Sequence, residues 1–177
     1  LNSQLKAKTA RDHGRHAKEI VPVMLPQKKG EPIAFDKDEF MKPETTIEAL
    51  GKLKAAFRKE GSVTAGNASG LNDGAAAVLL ADENQIKSNG LKPLARIVSS
   101  GVVGVEPRIM GIGPVEAIPK VLRHAGLKQE DIQLIELNEA FASQSLAVIR
   151  TLGLNPELVN VNGGAIALGH PLGCSGA

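Results

Sequence analysis

"DIQLIELNEAFASQSLAVIRTLG", residues 131–153, decides the fold class. "DIQLIELN" reads as a strand and "EAFASQSLAVIRTLG" as a helix, with Asn138 at the handover. The same alternation extends outward. Upstream, "GPVEAIPKVLRHAG" (113–126) is an amphipathic helix with Val115, Ile118, Val121, Leu122 and Ala125 facing inward. Pro119 fits if the regular helix starts only at about Ala117. Before it, "KPLARIVSSGVVGV" (92–105) reads as a strand and "ENQIKSNG" (83–90) as a helix ending at Gly90. The fully apolar run Ala75 to Ala81 suits a strand buried on both faces. Downstream, "NPELVNVNGGAIALGHPLG" (155–173) reads as a strand and loop. Alternating strands and helices predict an α/β architecture with a largely buried sheet.

The first third has a different texture. "LNSQLKAKTARDHGRHAKE" (1–19) reads as a polar, basic helix with a solvated face. "EIVPVMLPQKKGEPIAFDKD" (19–38) predicts two short strands around a turn at Lys28 to Gly30. "KPETTIEALGKLKAAF" (42–57) predicts a short helix capped by Thr45 or Thr46, with Ile47, Leu50 and Leu53 on its apolar side. With no long core element, this region reads as a lid or loop region, and Lys92-Pro93 marks a boundary.

Composition narrows the function classes. Hydrophobic residues make up 42% and charged residues 23% of the 177, which are globular values. With four Phe and no Trp or Tyr, the core must be aliphatic. A net charge of +2 and the lack of interleaved aromatics argue against nucleic acid. No apolar run reaches membrane-spanning length. The single cysteine excludes an internal disulfide framework and fits a reducing compartment. The nineteen glycines cluster late, which points to close backbone approaches.

Three segments could carry chemistry. In "ELNEAFASQ", Asn138 and Glu139 sit beyond the carboxyl end of a strand, where open α/β sheets bind ligands. The Asn138 carboxamide could hold a water or polarise a carbonyl, or simply cap the helix. In the closing "NGGAIALGHPLGCSGA" (162–177), Pro171 pushes His170 into an extended conformation. Its imidazole could take a thiol proton or donate to an oxyanion, or serve only as a loop histidine bonded to backbone. No Lys follows these glycines, and no G-x-G-x-x-G stands between a strand and a helix, so neither phosphate-loop motif applies. In "TAGNASGLNDG" (64–74), small residues leave room for a slim ligand and Ser69 could donate to an amide or phosphate; a tight turn would use the same residues. Cys174 lies four residues after His170 and could be a nucleophile, but a lone cysteine among small residues is more often a small buried hydrophobe.

Together these segments resemble the thiolase family. "NGGAIALGHPLGCSGA" is similar to the family's C-terminal signature, and "NEAFA" (138–142) and "TAGNASGLNDGAA" (64–76) to two further family blocks, in the same order and spacing. The resemblance covers essentially the whole chain. It implies ping-pong acyl transfer that makes or breaks a 3-ketoacyl-CoA, with coenzyme A thioesters as substrates and no cofactor or metal. It implies that His170 activates a nucleophilic cysteine and, with a water held by Asn138, forms the oxyanion hole for a thioester enolate. Ala65, Ser69, Phe57, Met110, Ala140 and Phe141 would line the pantetheine tunnel, and Lys42 would meet the CoA nucleotide. The resemblance further implies a thiolase-like α/β fold whose mixed sheet has helices on both faces, and a homodimer or homotetramer in the cytoplasm, or in mitochondria or peroxisomes of a eukaryote.

On this likeness, residues 1–71 are the end of the lid region, 72–93 close the N-terminal half, and 94–177 form most of the C-terminal half. The family's nucleophilic cysteine lies in the N-terminal half, and its second cysteine in a Cys-x-Gly segment beyond the Gly-His-Pro block. Cys174 matches neither. The expectation is therefore a C-terminal fragment, without turnover and poorly stable alone. The rivals are a CoA-binding or interaction module that has lost catalysis, and a Cys–His hydrolase using Cys174 and His170.

Overall fold

The computed structural model describes all 177 residues. Helix α1 (Asn2–Asp12) is shorter than the basic stretch that begins it; residues 13–19 continue as turns. Its buried side is small and polar, with Ser3, Gln4, Ala7 and Ala10. Strands β1 (Val23–Leu25) and β2 (Ile33–Phe35) pair antiparallel, with Met24 opposite Ala34, around the expected turn. Helix α2 (Ile47–Gly51) starts where Thr46 Oγ1 accepts from Ala49 N at 3.1 Å. Helix α3 (Glu83–Ser88) is capped by the Asp82 carboxylate, which accepts from Asn84 N and Gln85 N.

The second half holds the main packing. A 3-10 segment (Pro107–Ile112) leads into helix α4 (Gly113–Ala125). This helix is regular from Gly113, not from Ala117, so Pro119 sits inside it and removes one backbone donor. Packing carries that cost, because Val115 and Ile118 press on the cluster of Leu137, Val148, Leu154 and Val159. Helix α5 (Ala142–Leu152) supplies Val148, which is fully buried. Gly153 ends it in the left-handed conformation at φ 61°, and Leu154 N then donates back to Ile149 O at 2.9 Å. That reversal drops Leu154 into the cluster. A short helix, α6 (Ala165–Leu168), forms where a plain loop was expected. Ala7, Met41 and Ala167 make a second, smaller cluster between α1 and α6. No helix is long and apolar enough to cross a membrane.

The alternation of extended and helical segments is present, yet most expected strands are unpaired. Ile135 and Val159 form a parallel bridge, with α5 as the crossover between them. By contrast, residues 73–81 and 92–105 form no regular element and exchange no backbone–backbone hydrogen bonds with another segment. Their apolar side chains face outward: Leu79 is 86% exposed, Leu94 100% and Val102 84%. The run Ala75 to Ala81 is therefore not buried here. A strand with two apolar faces needs a neighbour at each edge and a layer on each side, and no other part of these 177 residues lies there.

Asn160 holds the Ile135–Val159 bridge in place. Its backbone sits at φ 47°, and its N–H donates to Ile135 O at 2.8 Å. Its side chain brackets the next residues: Leu137 N donates to Oδ1 at 2.8 Å, and Nδ2 donates to Leu137 O at 2.7 Å. Asn160→Ala strips both partners from a buried peptide unit. It is expected to destabilise by about 1–3 kcal/mol, read as a lower urea midpoint; an unchanged midpoint contradicts the bracket.

Candidate functional site

Residues 67–72 bring the three chemistry-bearing segments together. Ser69 N donates to Ala140 O at 3.0 Å, and Ala142 N donates to Asn67 O at 2.8 Å. These bonds fix the stretch after Asn138. Two residues further on, Leu71 bridges His170 in parallel, and His170 N donates to Asn72 Oδ1 at 3.1 Å. Gly169, at φ 96°, makes this approach possible: a Cβ there would lie 2.5 Å from Asn72 Oδ1.

His170 and Asn138 meet through their side chains, with Asn138 Nδ2 3.2 Å from His170 Nε2. The amide nitrogen can only donate, so Nε2 is the acceptor and the neutral ring carries its proton on Nδ1. Nδ1 then donates to Ser175 Oγ at 2.8 Å, and Ser175 Oγ donates to Pro171 O at 3.1 Å. Asn138 is not the cap of α5, since Phe141 occupies that position without a side-chain bond. Capping therefore does not account for Asn138. An Nε2 lone pair beside an amide donor can accept a proton and afterwards donate it to a developing oxyanion. No hydrogen bond joins Cys174 to His170; the ring turns to Ser175 instead.

A cavity of about 480 Å³ opens on the other side of the 67–72 segment. Lys42, Ala65 and Ser69 line it, together with Gln4, Phe40, Leu50, Leu53 and Ile166. The Ser69 hydroxyl donates to Ala140 O at 3.2 Å, so toward a ligand it is left as an acceptor rather than the donor expected. Phe57 and Phe141 meet edge to face, 6.4 Å between centroids, beside this cavity's residues rather than among them. Met110 is exposed on the Pro107–Ile112 turn and lines neither the cavity nor the His170 contact. No three His, Cys, Asp or Glu side chains are grouped to hold a metal ion.

Sequence reasoning missed four positioning residues. Asn72 and Asn160 were readable only as turn formers, because their partners lie 98 and 23 residues away. Gln4 joins the cavity to the closing segment: Nε2 donates to Ile166 O at 3.2 Å, and Oε1 accepts from Lys42 N at 2.8 Å. Ser175 reads from the sequence as a cap, itself or through a neighbour, for a helix opening at "CSGA" (174–177), and nothing there aims its hydroxyl at the histidine.

Comparison with known proteins gives the family. The family model "Thiolase, N-terminal domain" matches residues 1–84, and "Thiolase, C-terminal domain" matches residues 91–177. The chain belongs to the thiolase family. It is 61% identical over 174 residues to an acetyl-CoA acetyltransferase of Pseudomonas aeruginosa, covering 98% of this chain and 44% of that protein. It is 56% identical over 176 residues to an acetyl-CoA acetyltransferase of Chromobacterium violaceum, covering 99% of this chain and 45% of that one. The crystal structure of human mitochondrial 3-ketoacyl-CoA thiolase in complex with CoA is similar at a TM-score of 0.90 and 51% identity, over 99% of this chain and 43% of that chain. The chain thus has an α/β thiolase fold and spans less than half the length of the thiolases it matches.

Next to the His170–Asn138 pair lies a carboxylate knot. Glu139 Oε2 accepts from Ser3 Oγ at 2.6 Å and from Ile166 N at 3.1 Å, tying α1 and α6 to the segment that carries Asn138. Ser3 Oγ also accepts from Gly164 N at 3.0 Å. Partial desolvation, and then the charge of Glu139, push the Glu136 carboxyl above its usual value. A raised carboxyl binds protons more tightly in the folded state than in the unfolded one. Its ionisation therefore costs stability as pH rises from the unperturbed value of 4.5 through the raised one. Glu136→Gln is expected to stabilise at pH 7, with the gain vanishing below the unperturbed value. Paired urea titrations at both pH values check this; a gain that persists in acid contradicts it.

Proposed function

We propose that this chain carries the histidine–asparagine part of an acyl-transfer site that joins and cleaves 3-ketoacyl-CoA thioesters, as in acetyl-CoA C-acyltransferases. The observation that carries the proposal is the His170 Nε2 to Asn138 Nδ2 contact, with the ring proton placed on Nδ1. The names of the similar thiolases support the substrate class.

On this reading Nε2 takes the proton of a cysteine thiol, and the thiolate attacks a CoA thioester. Acyl-enzyme forms, and CoA leaves as its thiol, taking the proton of a second cysteine. That cysteine, now a thiolate, removes the α-proton of the next thioester. His170, still protonated on Nε2, and a water held by Asn138 donate to the enolate oxygen. The α-carbon then attacks the acyl-enzyme, the new C–C bond forms, and the first cysteine is released as a thiolate that recovers its proton from Nε2. The oxygen gains its charge only near the transition state, so donors already aimed at it lower the barrier selectively. Both cysteines are assigned outside residues 1–177, because Cys174 has no hydrogen bond to the ring and matches neither family position. Residues 1–177 alone are then without turnover.

The cavity beside Ser69 is assigned to the pantetheine arm. Its walls carry the short side chains Ala49, Ala65 and Ala68 with Gly66 and Gly70. Ser69 Oγ accepts from a pantetheine amide, since its proton is committed to Ala140. Lys42, at the same cavity, meets the CoA phosphates. The acyl end would then pass toward Phe141 and Asn138.

With acetoacetyl-CoA and CoA as substrates of the full-length protein, His170→Ala and Asn138→Ala are each expected to lower kcat by roughly 10²–10³-fold. Steady-state kinetics of both variants are the measurement, and undiminished turnover of His170→Ala overturns the proposal.

A further inference from the structure

Ser175 has no place in the steps above, yet it makes the shortest contact to the His170 ring. Its hydroxyl also lies 3.1 Å from Pro171 O and can donate there. The Asn138 amide nitrogen faces Nε2 at 3.2 Å as a donor, which puts the neutral ring's proton on Nδ1. Nδ1, 2.8 Å from Oγ, then donates to the serine. A proton moved from Nδ1 to Nε2 would set two donors against each other at Asn138.

The serine is itself held. Ser175 N and Cys174 N donate to Pro171 O at 3.0 and 2.9 Å, closing a turn on the residue that follows the histidine. His170 N is tied from the opposite direction by Asn72 Oδ1. Ring, hydroxyl and carbonyl form one directional chain, from Nδ1 through Ser175 Oγ to Pro171 O. This chain does not change when Nε2 gains or loses a proton. A serine at this position orients the ring without adding charge, whereas a carboxylate would favour the protonated ring, which has no lone pair left to take the thiol proton.

We propose that Ser175 is the positioning residue that holds the His170 proton on Nδ1 and so keeps the Nε2 lone pair available to accept the thiol proton. This rests on the role assigned to His170 above. It adds the residue that sets the tautomer.

The test uses the full-length protein with 15N-labelled histidine, whose ring shifts distinguish the two neutral tautomers. The unaltered protein is expected to show the Nδ1–H form at His170. An Nε2–H form there overturns the proposal without any variant. Ser175→Ala is expected to move the ring toward Nε2–H and to lower kcat by about 10-fold or more, a part of the general acid–base contribution, with KM for the thioester unchanged. Ser175→Thr retains the hydroxyl and is expected to restore both the tautomer and most of kcat. Turnover of Ser175→Ala within about twofold of the parent, on the same acid–base scale, overturns the proposal. So does an Nδ1–H ring in that variant, or a threonine variant as impaired as the alanine one. If His170→Ala keeps full turnover, the functional reading falls instead, and the ring shifts still report whether Ser175 sets the tautomer.

Discussion

Between Asn67 and Asn72 the chain is hydrogen-bonded on two fronts, one through backbone and one through a side chain. At one end it exchanges N–H and C=O with residues 140–142; at the other the Asn72 amide takes the His170 N–H. The side-chain meeting of Asn138 and His170 depends on both. Asn138 and His170 are 32 residues apart in sequence and lie on exposed or half-buried loops. Neither hydrophobic cluster contains them. What fixes their separation is a chain of directional bonds, which sets angle as well as distance. The aliphatic cluster around Val148 supplies a second anchor, through Leu137 and the Asn160 bracket, one residue before Asn138.

The carboxylate knot extends the same logic. Glu139 follows Asn138 directly, and its two bonds to Ser3 and Ile166 tie the site to the far ends of the chain. Gln4, one residue after Ser3, joins Ile166 to Lys42 at the cavity. The cavity and the histidine thus share supports on α1 and α6, although different side chains line them. A displaced α1 would disturb both together. Gly163 shows how close that packing is: a Cβ there would lie 2.6 Å from Ala7 Cβ.

Local signals were legible where local physics decides the outcome. The hairpin turn, the Thr46 cap, the ends of α3 and α5 and the α/β alternation follow from residue types at short range. The strand at 75–81 and the one at 92–105 did not form, because a sheet is a pairing and their edges find no partner in these residues. Hydrophobic pattern reports the environment for which a segment is built. Leu79 and Leu94 carry the pattern of buried strands while standing exposed. Pro119 misled in the opposite sense: local chemistry argues against helix there, and tertiary packing on Val115 and Ile118 overrides it.

At the site, sequence located His170 and Asn138 but could not choose between capping, loop bonding and catalysis for them. Geometry narrows the choice, since Asn138 caps nothing and its amide faces the ring. The residues that went unseen are those whose function is a long-range hydrogen bond. Asn72 and Ser175 carry ordinary turn-forming side chains, and nothing in their neighbourhoods announces the partner. The glycines stood between these cases. Their clustering pointed to close backbone approaches, and that is how the folded chain uses them: at Gly169 against Asn72, at Gly163 against α1, and at Gly74, where a Cβ would lie 2.6 Å from Pro171 Cγ. Each marks a point where two distant segments of the chain touch. A side chain at any of them would push apart segments that surround His170, so the glycine content of the closing stretch serves the geometry of that loop and need not bind phosphate.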